Sequence, residues 1–238
     1  MYGVQVDQLA AALAVTERRT GATVTGWTQA GLAEAGRLGP GPRWVWLTKA
    51  GLARCGLAYT AAVPALSRLA HLRAVTAVRL ALAATEQFEA GQGYWRSERR
   101  LRAKFGRKLG LREHLPDGEV HWPESGGVPW AGECWAIEAE LTPKTMTKTV
   151  AIMRELLTRT GDYGCAADEV AVPGRPARHA RAIYLCSPDA RPVVSRARQE
   201  LGDRAGRIEI RLLPAGWALG EPGAPAQPEH PATQAGRP

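Results

Sequence analysis

Apolar residues near the start of the chain recur at helical spacing. Val6, Leu9 and Leu13 share one face of a helix predicted over residues 6–14. Thr16 follows in a position to cap a second helix, and the acidic Glu17 suits the positive end of that helix. The pattern therefore predicts two consecutive helices joined by a short turn.

The pattern then changes from helical spacing to alternation. Residues 39–42 read Gly-Pro-Gly-Pro, a sequence that only a turn accommodates. The alternation over residues 43–47 predicts a strand, and Thr48 is placed to cap a short helix that follows. Because Trp44 and Trp46 cannot face inward together with Val45, one side of this hairpin must be covered. Two helices followed by a two-stranded wing predict a winged helix-turn-helix.

The remaining periodicities predict a second unit. A long helix after Pro64 ends near Gly91-Gln92-Gly93, so 90–93 is the expected boundary. Beyond it the patterns predict helices near 95–108, 143–159 and 190–201, and strands near 119–122, 133–141, 181–186 and 207–213. This order favours an α+β protein whose second half is a mixed α/β sheet. Residues 216–238 are rich in proline and alanine and are predicted to be disordered.

Charge is distributed unevenly along the 238 residues. Residues 1–112 hold 17 Lys/Arg against 6 Asp/Glu, whereas residues 113–238 hold 14 against 17. A basic first half predicts a polyanionic partner, although such a surface also serves solubility alone. The sequence shows neither a membrane span nor a secretion signal, and its four dispersed cysteines fit reduced thiols, so we expect a cytoplasmic protein.

Three carboxylates form the candidate chemical site. Alternation places Glu138 and Glu140 on one face of a strand, and Asp117 lies just before the preceding strand. A bound Mg²⁺ would relieve the repulsion between them and would support phosphodiester cleavage. Lys144 or Lys148 would then reach the phosphate, and Glu98 shares an apolar helix face that would turn it inward. The competing interpretation is that Asp117-Gly118 forms a turn and the two glutamates are solvated.

Arginines and lysines provide the candidate contacts to DNA phosphates. We expect these contacts from Arg18, Arg19, Arg43, Arg99, Arg100, Arg102, Lys104, Arg107 and Lys108. The five histidines contain no closely spaced metal-binding pair of the kind that a rolling-circle relaxase needs. His114 is the histidine nearest to the carboxylates, and it is considered for a role in the site.

Pro116-Asp117 followed by Glu138-Ala139-Glu140 resembles the PD-(D/E)xK nuclease superfamily. The resemblance implies a restriction-endonuclease-like fold, with Asp117, Glu138, Glu140, Lys144 and Glu98 as catalytic residues and Asp117 and Glu138 as metal ligands. Glu140 stands where the superfamily has lysine. Some members are active with glutamate there, and in others the lysine lies on a neighbouring element, as Lys144 does here.

A longer series of segments resembles the replication-relaxation family of actinobacterial plasmids and mobile elements. It comprises WVWLTKAGL, LAHLRAVTAVR, YWRSERRLR, LPDGEV and IEAELTPK, in that order. The resemblance implies a winged helix over 1–90 and a nuclease-like domain over 94–215. Members of the family usually carry one more helix before the segment that starts here at Val6, so we expect that this helix is missing or that the start is misassigned. It also implies double-stranded DNA as partner, with a second copy of the chain and replication or transfer proteins as further candidates. Two functions stay open: a metal-dependent nuclease or nickase, and a non-catalytic DNA-binding accessory or regulatory protein.

Overall fold

The computed structural model describes residues 3–105, 114–159 and 178–219 and shows an α+β protein with two sheets. The chain divides into two compact units, 2–73 with 215–238 and 74–214, and each is described by itself. No helix within the described ranges is long and apolar enough to cross a membrane.

The first unit begins with β1 (Val4–Gln5), α1 (Val6–Leu13) and α2 (Glu17–Gln29). Strands β2 (Ala33–Gly36) and β3 (Trp44–Leu47) form an antiparallel hairpin, and β1 pairs with the other edge of β3. A short helix, α3 (Lys49–Arg54), follows. The hydroxyl of Thr16 accepts from the backbone N–H of Arg19, and that of Thr48 accepts from Gly51, so both predicted helix caps are confirmed.

Two apolar clusters hold this unit together. Val6, Val24 and Val45 pack between the helices and the hairpin. Trp44 is fully buried against Leu69 and against other residues at the start of α4 (Leu69–Ala83), which provides the expected cover for one side of the hairpin.

A buried ion pair adds specificity to the first unit. The Arg73 guanidinium lies 2.9 Å from the Asp7 carboxylate, and its Nε donates to the carbonyl of Ala218. Leu219 packs on the Trp44 cluster. The segment predicted to be disordered from 216 therefore starts with residues that contact the folded unit, and 220–238 lie outside the described residues.

The second unit contains a five-stranded sheet in the order β4-β5-β6-β7-β8. Its strands are β4 (Tyr94–Ser97), β5 (Gly118–His121), β6 (Cys134–Glu140), β7 (Arg181–Cys186) and β8 (Ile208–Leu212). The first three are antiparallel neighbours, and β7 and β8 continue parallel to β6, so the sheet is mixed as predicted.

Helices fill the connections of this sheet. They are α5 (Glu86–Ala90), α6 (Glu98–Phe105), α7 (Met146–Thr158) between β6 and β7, and α8 (Arg191–Gln199) between β7 and β8. Val150, Met153 and Leu157 of α7 pack on the sheet face that carries Tyr184, which confirms their predicted stripe.

Two elements differ from the prediction. The long helix expected between Pro64 and Gly91 is interrupted after Ala83, and Thr85 caps α5 as a separate helix. The helix expected from Trp95 starts only at Glu98, because Tyr94–Ser97 pair with β5 instead. The Trp95 indole lies so close to Gly118 that a Cβ there would meet it at 2.0 Å. This close approach explains why glycine follows Asp117.

Candidate active site

Asp117 and Glu138 lie on the same face of the β5-β6 pair. Gly118 pairs with Ile137 in this antiparallel ladder, so Asp117 continues the register opposite Glu138. The backbone N–H of Ala139 donates to the Asp117 Oδ2 at 2.9 Å, which fixes that carboxylate beside β6. The Asp117 charge is also close enough to raise the pKa of Glu138. The strands therefore bring together the two residues predicted as metal ligands.

Glu138 carries a strongly perturbed carboxyl group. It is buried on β6, and burial, followed in effect by the charge of Asp117, raises its pKa to about 7. His114 and Lys144 oppose this rise but do not cancel it. A raised pKa means that the surroundings stabilise the ionised carboxylate less than water does, so a cation beside the carboxylate would be bound favourably.

Hydrogen bonds to both backbone polar groups of His114 hold this residue beside Glu138. Its Nε2 lies 2.7 Å from the Glu138 Oε1. Its backbone N–H donates to the Glu155 Oε1 at 2.9 Å, and its carbonyl accepts from Arg159 at 2.9 Å. Burial lowers the pKa of His114, but its interactions with Glu138 outweigh burial and leave that pKa raised. A histidine with both backbone polar groups anchored in this way is pre-positioned toward the carboxylates.

Glu140 and Lys144 form an ion pair next to this group. Glu140 is buried on the same face as Glu138, and Lys144 is half-buried in the connection between β6 and α7. Burial lowers the pKa of Lys144, but the hydrogen bond with Glu140 and the surrounding carboxylates leave it raised. The ammonium is therefore a fixed positive charge in the site. Lys148 is exposed on α7.

Glu98 lies at the edge of the site. Its backbone N–H donates to the carbonyl of Asp117 at 3.0 Å, so a hydrogen bond links the start of α6 to Asp117. Its carboxylate pairs with Arg102 at 2.6 Å and is 17% exposed, so the expected inward orientation is only partly realised.

Tyr184 is a buried residue that the sequence analysis did not single out. It pairs with Glu138 across β6 and β7, and among the described residues its hydroxyl has no hydrogen-bond partner. Burial, together with the charges of Glu138 and Glu140, raises the pKa of this phenol well above its ordinary value. A neutral hydroxyl beside two carboxylates is a donor available to a ligand oxygen.

A second polar cluster surrounds Glu119, two residues along the same face of β5. Arg178 donates to both carboxylate oxygens at 2.8 Å. His179 Nε2 lies 2.9 Å from one oxygen, and His121 Nε2 lies 2.8 Å from the other. These contacts hold the pKa of Glu119 far below its usual range, against the opposing effect of burial.

The residues predicted to bind DNA occupy two helices and a loop. Arg18 and Arg19 are exposed on α2, and Arg43 is exposed just before β3. Arg100 and Arg102 are exposed on α6, where Arg99 is half-buried. Lys104 lies on the same helix, although its side chain is not among the described groups, and Arg107 and Lys108 lie outside the described residues.

Sequence reasoning therefore reached Asp117, Glu138, Glu140 and Lys144, which come together, and it named His114 as a candidate. Lys148 is exposed on α7. Sequence reasoning missed Tyr184 and the Glu119 cluster, because most of these contacts join residues distant in sequence. Comparison with protein-family models, curated proteins and solved structures finds no match to this chain.

Proposed function

We propose that this chain is a DNA-binding protein whose second unit cleaves phosphodiester bonds with the help of a divalent cation. The single observation that carries the proposal is the placement of Asp117 opposite Glu138, on one face of neighbouring strands, with an ion-paired lysine beside them. Two carboxylates with a phosphate-stabilising cation are the usual requirements of metal-assisted phosphoryl chemistry.

The donor set fits Mg²⁺. This ion prefers carboxylate oxygens and binds through one or two carboxylates together with substrate phosphate. Burial raises the pKa of Glu138, and a divalent ion beside this carboxylate would offset that effect. Asp117 and Glu138 would hold the ion, which would supply a nucleophilic hydroxide and polarise the phosphate.

The chain's own residues would orient the phosphate. Lys144 places a positive charge beside Glu140, where it would stabilise charge developing on the phosphate oxygens. The Tyr184 hydroxyl is a buried donor next to the same carboxylates. His114, whose Nε2 lies 2.7 Å from Glu138, would keep that carboxylate oriented and exchange a proton with it.

The strand order supports a restriction-endonuclease-like fold for this unit. A meander of three antiparallel strands, with the acidic residues on its second and third strands, leads through α7 to a parallel fourth strand. This arrangement agrees with the resemblance to the PD-(D/E)xK superfamily and to the replication-relaxation family.

The first unit supports the winged-helix assignment. Its element order, its three-stranded sheet and the loop between β2 and β3 match a helix-turn-helix followed by a wing. Helix α2 buries only Thr20 and Val24 and exposes Arg18 and Arg19, so a broad face is available to DNA. Double-stranded DNA is therefore the partner that we propose.

The test is a nicking assay on supercoiled plasmid with the full chain in Mg²⁺ or Mn²⁺. We expect the wild type to nick the plasmid, and we expect the nicking rate to fall at least about a hundredfold in Glu138→Gln and in Asp117→Asn. The control variant Glu209→Gln should nick at the wild-type rate under the same conditions. Glu209 is a matched glutamate on β8 that pairs with Arg211 outside the site. Nicking that survives both site substitutions would contradict the proposal.

Glu140 in the position of the superfamily lysine favours one alternative, a DNA-binding protein without catalysis. A binding titration separates the two functions. Affinity for duplex DNA should fall steeply with salt, and the slope should flatten in Arg18→Ala with Arg19→Ala. Salt-sensitive binding without nicking would favour the alternative, and salt-independent affinity would exclude both.

A further inference from the structure

Four side chains with nitrogen, sulfur and carboxylate donors meet on β5, β6 and the segment before β7. They are Glu119, His121, Cys134 and His179. Glu119, Cys134 and His179 each offer a ligand atom within 4.8 Å of the others. The Cys134 Sγ lies 3.6 Å from the His121 Nε2, which itself lies 2.8 Å from Glu119. Glu119 and His179 are fully buried, whereas His121 and Cys134 are half-buried.

The ring of His179 is oriented with one nitrogen toward the cluster and the other away from it. Its Nδ1 lies 3.1 Å from the carbonyl of Leu156, an acceptor that pairs with a protonated Nδ1. Its Nε2 lies 2.9 Å from the Glu119 Oε1. In this tautomer the Nε2 lone pair is available to a metal ion that Glu119 would also bind.

The charges around the cluster do not exclude a metal ion. Arg178 is paired with Glu119, and Arg96 lies 3.7 Å from the same carboxylate. With Zn²⁺, a thiolate at Cys134 and the Glu119 carboxylate would balance the two positive charges of the ion, and two neutral histidines would complete the donor set. Arg178 then acts as the hydrogen-bonding support that metal-ligating carboxylates commonly have.

Three of the donor separations lie near those of a tetrahedral zinc centre. Bonds of about 2.0–2.3 Å place neighbouring ligand atoms about 3.3–3.8 Å apart. The Cys134–His121 separation of 3.6 Å falls in this range, and the Glu119–histidine separations of 2.8 and 2.9 Å need to open by about half an ångström.

Both imidazole rings are also held in place by groups outside the donor set. Tyr94 stacks on His121 with ring centroids 4.9 Å apart, and Leu156 fixes the tautomer of His179. Support of this kind around a histidine is typical of metal sites.

We propose that Glu119, His121, Cys134 and His179 form a zinc site with a structural role. Four protein ligands leave no open position, which is typical of structural rather than catalytic zinc. The ion would join β5 and β6 to the chain that enters β7, and so would stabilise the sheet that carries the carboxylates. This site is independent of the proposed nuclease function, because none of its ligands is assigned to that chemistry.

The first measurement is the zinc content of the purified full chain after dialysis, followed by replacement with Co²⁺. We expect about one zinc per chain. The Co²⁺ protein should show a near-ultraviolet thiolate charge-transfer band together with the visible bands of tetrahedral cobalt. Zinc content well below one per chain, with no thiolate band on adding Co²⁺, would overturn the proposal.

Variants identify the ligands. Cys134→Ser should abolish the thiolate band and weaken zinc binding by at least about tenfold, and His179→Gln should weaken it similarly. Cys55→Ser is the matched control, because Cys55 is an exposed free cysteine and its loss should change nothing. If Cys134→Ser does not fold, the cobalt spectrum of the wild type still shows whether a thiolate binds the metal. Unchanged zinc affinity in folded Cys134→Ser and His179→Gln would contradict the site, whereas loss of plasmid nicking alone would not bear on it.

Discussion

At the scale of single residues, the protonation of Glu138 links the site to stability. Its pKa is raised to about 7 by burial and then by Asp117, and that of its partner His114 is also raised. A carboxyl whose pKa is raised on folding stabilises the protein at low pH, and this contribution is lost as the pH rises through the folded-state value. The raised pKa of His114 acts in the same direction, since its contribution is present below about 6.5 and is lost above.

Glu138→Gln should remove this pH dependence. In the absence of metal, the free energy of unfolding of the variant should rise relative to that of the wild type as the pH increases from about 5 to about 8. The total change should be about 3 kcal/mol at most. Urea unfolding of both proteins in EDTA measures the difference, which includes the linked change at His114, while the effects of groups that do not interact with Glu138 cancel. A difference that stays constant with pH would show that Glu138 titrates normally.

Residue patterns predicted the carboxylates because alternation along a strand fixes which side chains share a face. Glu138 and Glu140 follow this rule, and Asp117 joins them through the register of β5 and β6. The patterns could not predict the contact of His114 with Glu138 or that of His179 with Glu119, because these contacts join residues 24 and 60 positions apart. Such pairings depend on the tertiary fold and have no local periodicity.

At the scale of elements, helix α2 contains glycines that packing does not explain. A Cβ at Gly21 or Gly26 would meet nothing within 4 Å, although glycine inside a helix is unfavourable. A backbone without side chains at these positions lets the helix approach another surface closely. Under the proposed DNA-binding function, that surface is the groove of the duplex.

Gly21→Ala and Gly26→Ala should therefore separate stability from binding. Each is expected to stabilise the chain by about 0.5–1 kcal/mol and to weaken binding to duplex DNA. Chemical unfolding and a fluorescence-anisotropy titration measure the two effects. Gly206→Ala, at another open glycine position in the second unit, is the control for binding. Alanine variants that bind DNA as well as the wild type would refute the close approach.

Most elements were predictable from local patterns, but β4 was not. The apolar stripe of α7 and the caps of α2 and α3 are local features that the sequence displays directly. Strand β4 runs directly into the basic helix α6, so its four residues were assigned to that helix. The pairing of β4 with β5 decided its conformation, and this is a tertiary effect.

At the scale of the whole molecule, the two chain segments that form the first unit contact each other. Ala218 accepts from the buried Arg73, and Leu219 packs on Trp44 and Leu69. Composition predicted disorder from 216 because proline and small residues dominate the tail, but the carbonyl of Ala218 and the side chain of Leu219 contact the folded unit.

Two truncated chains test this anchoring. A chain that ends at Gly220 should keep the melting temperature of the full protein. A chain that ends at Pro214 should melt several degrees lower, since Arg73 loses a buried acceptor at a cost of about 1–3 kcal/mol and Leu219 no longer covers the cluster. Leu219→Ala in the longer chain separates packing from the hydrogen bond. Equal melting of both truncated chains would contradict the contact.

The central claim is that Asp117 and Glu138 form one divalent-cation site, and Mn²⁺ binding followed by electron paramagnetic resonance tests it most directly. The account predicts one Mn²⁺ per chain, displaced by Mg²⁺ and weakened by at least about tenfold in Asp117→Asn and in Glu138→Gln. Glu209→Gln and Cys134→Ser should bind as the wild type, the latter because the Glu119 cluster is a separate site. Absence of Mn²⁺ binding, or binding unchanged by both carboxylate substitutions, would contradict the account.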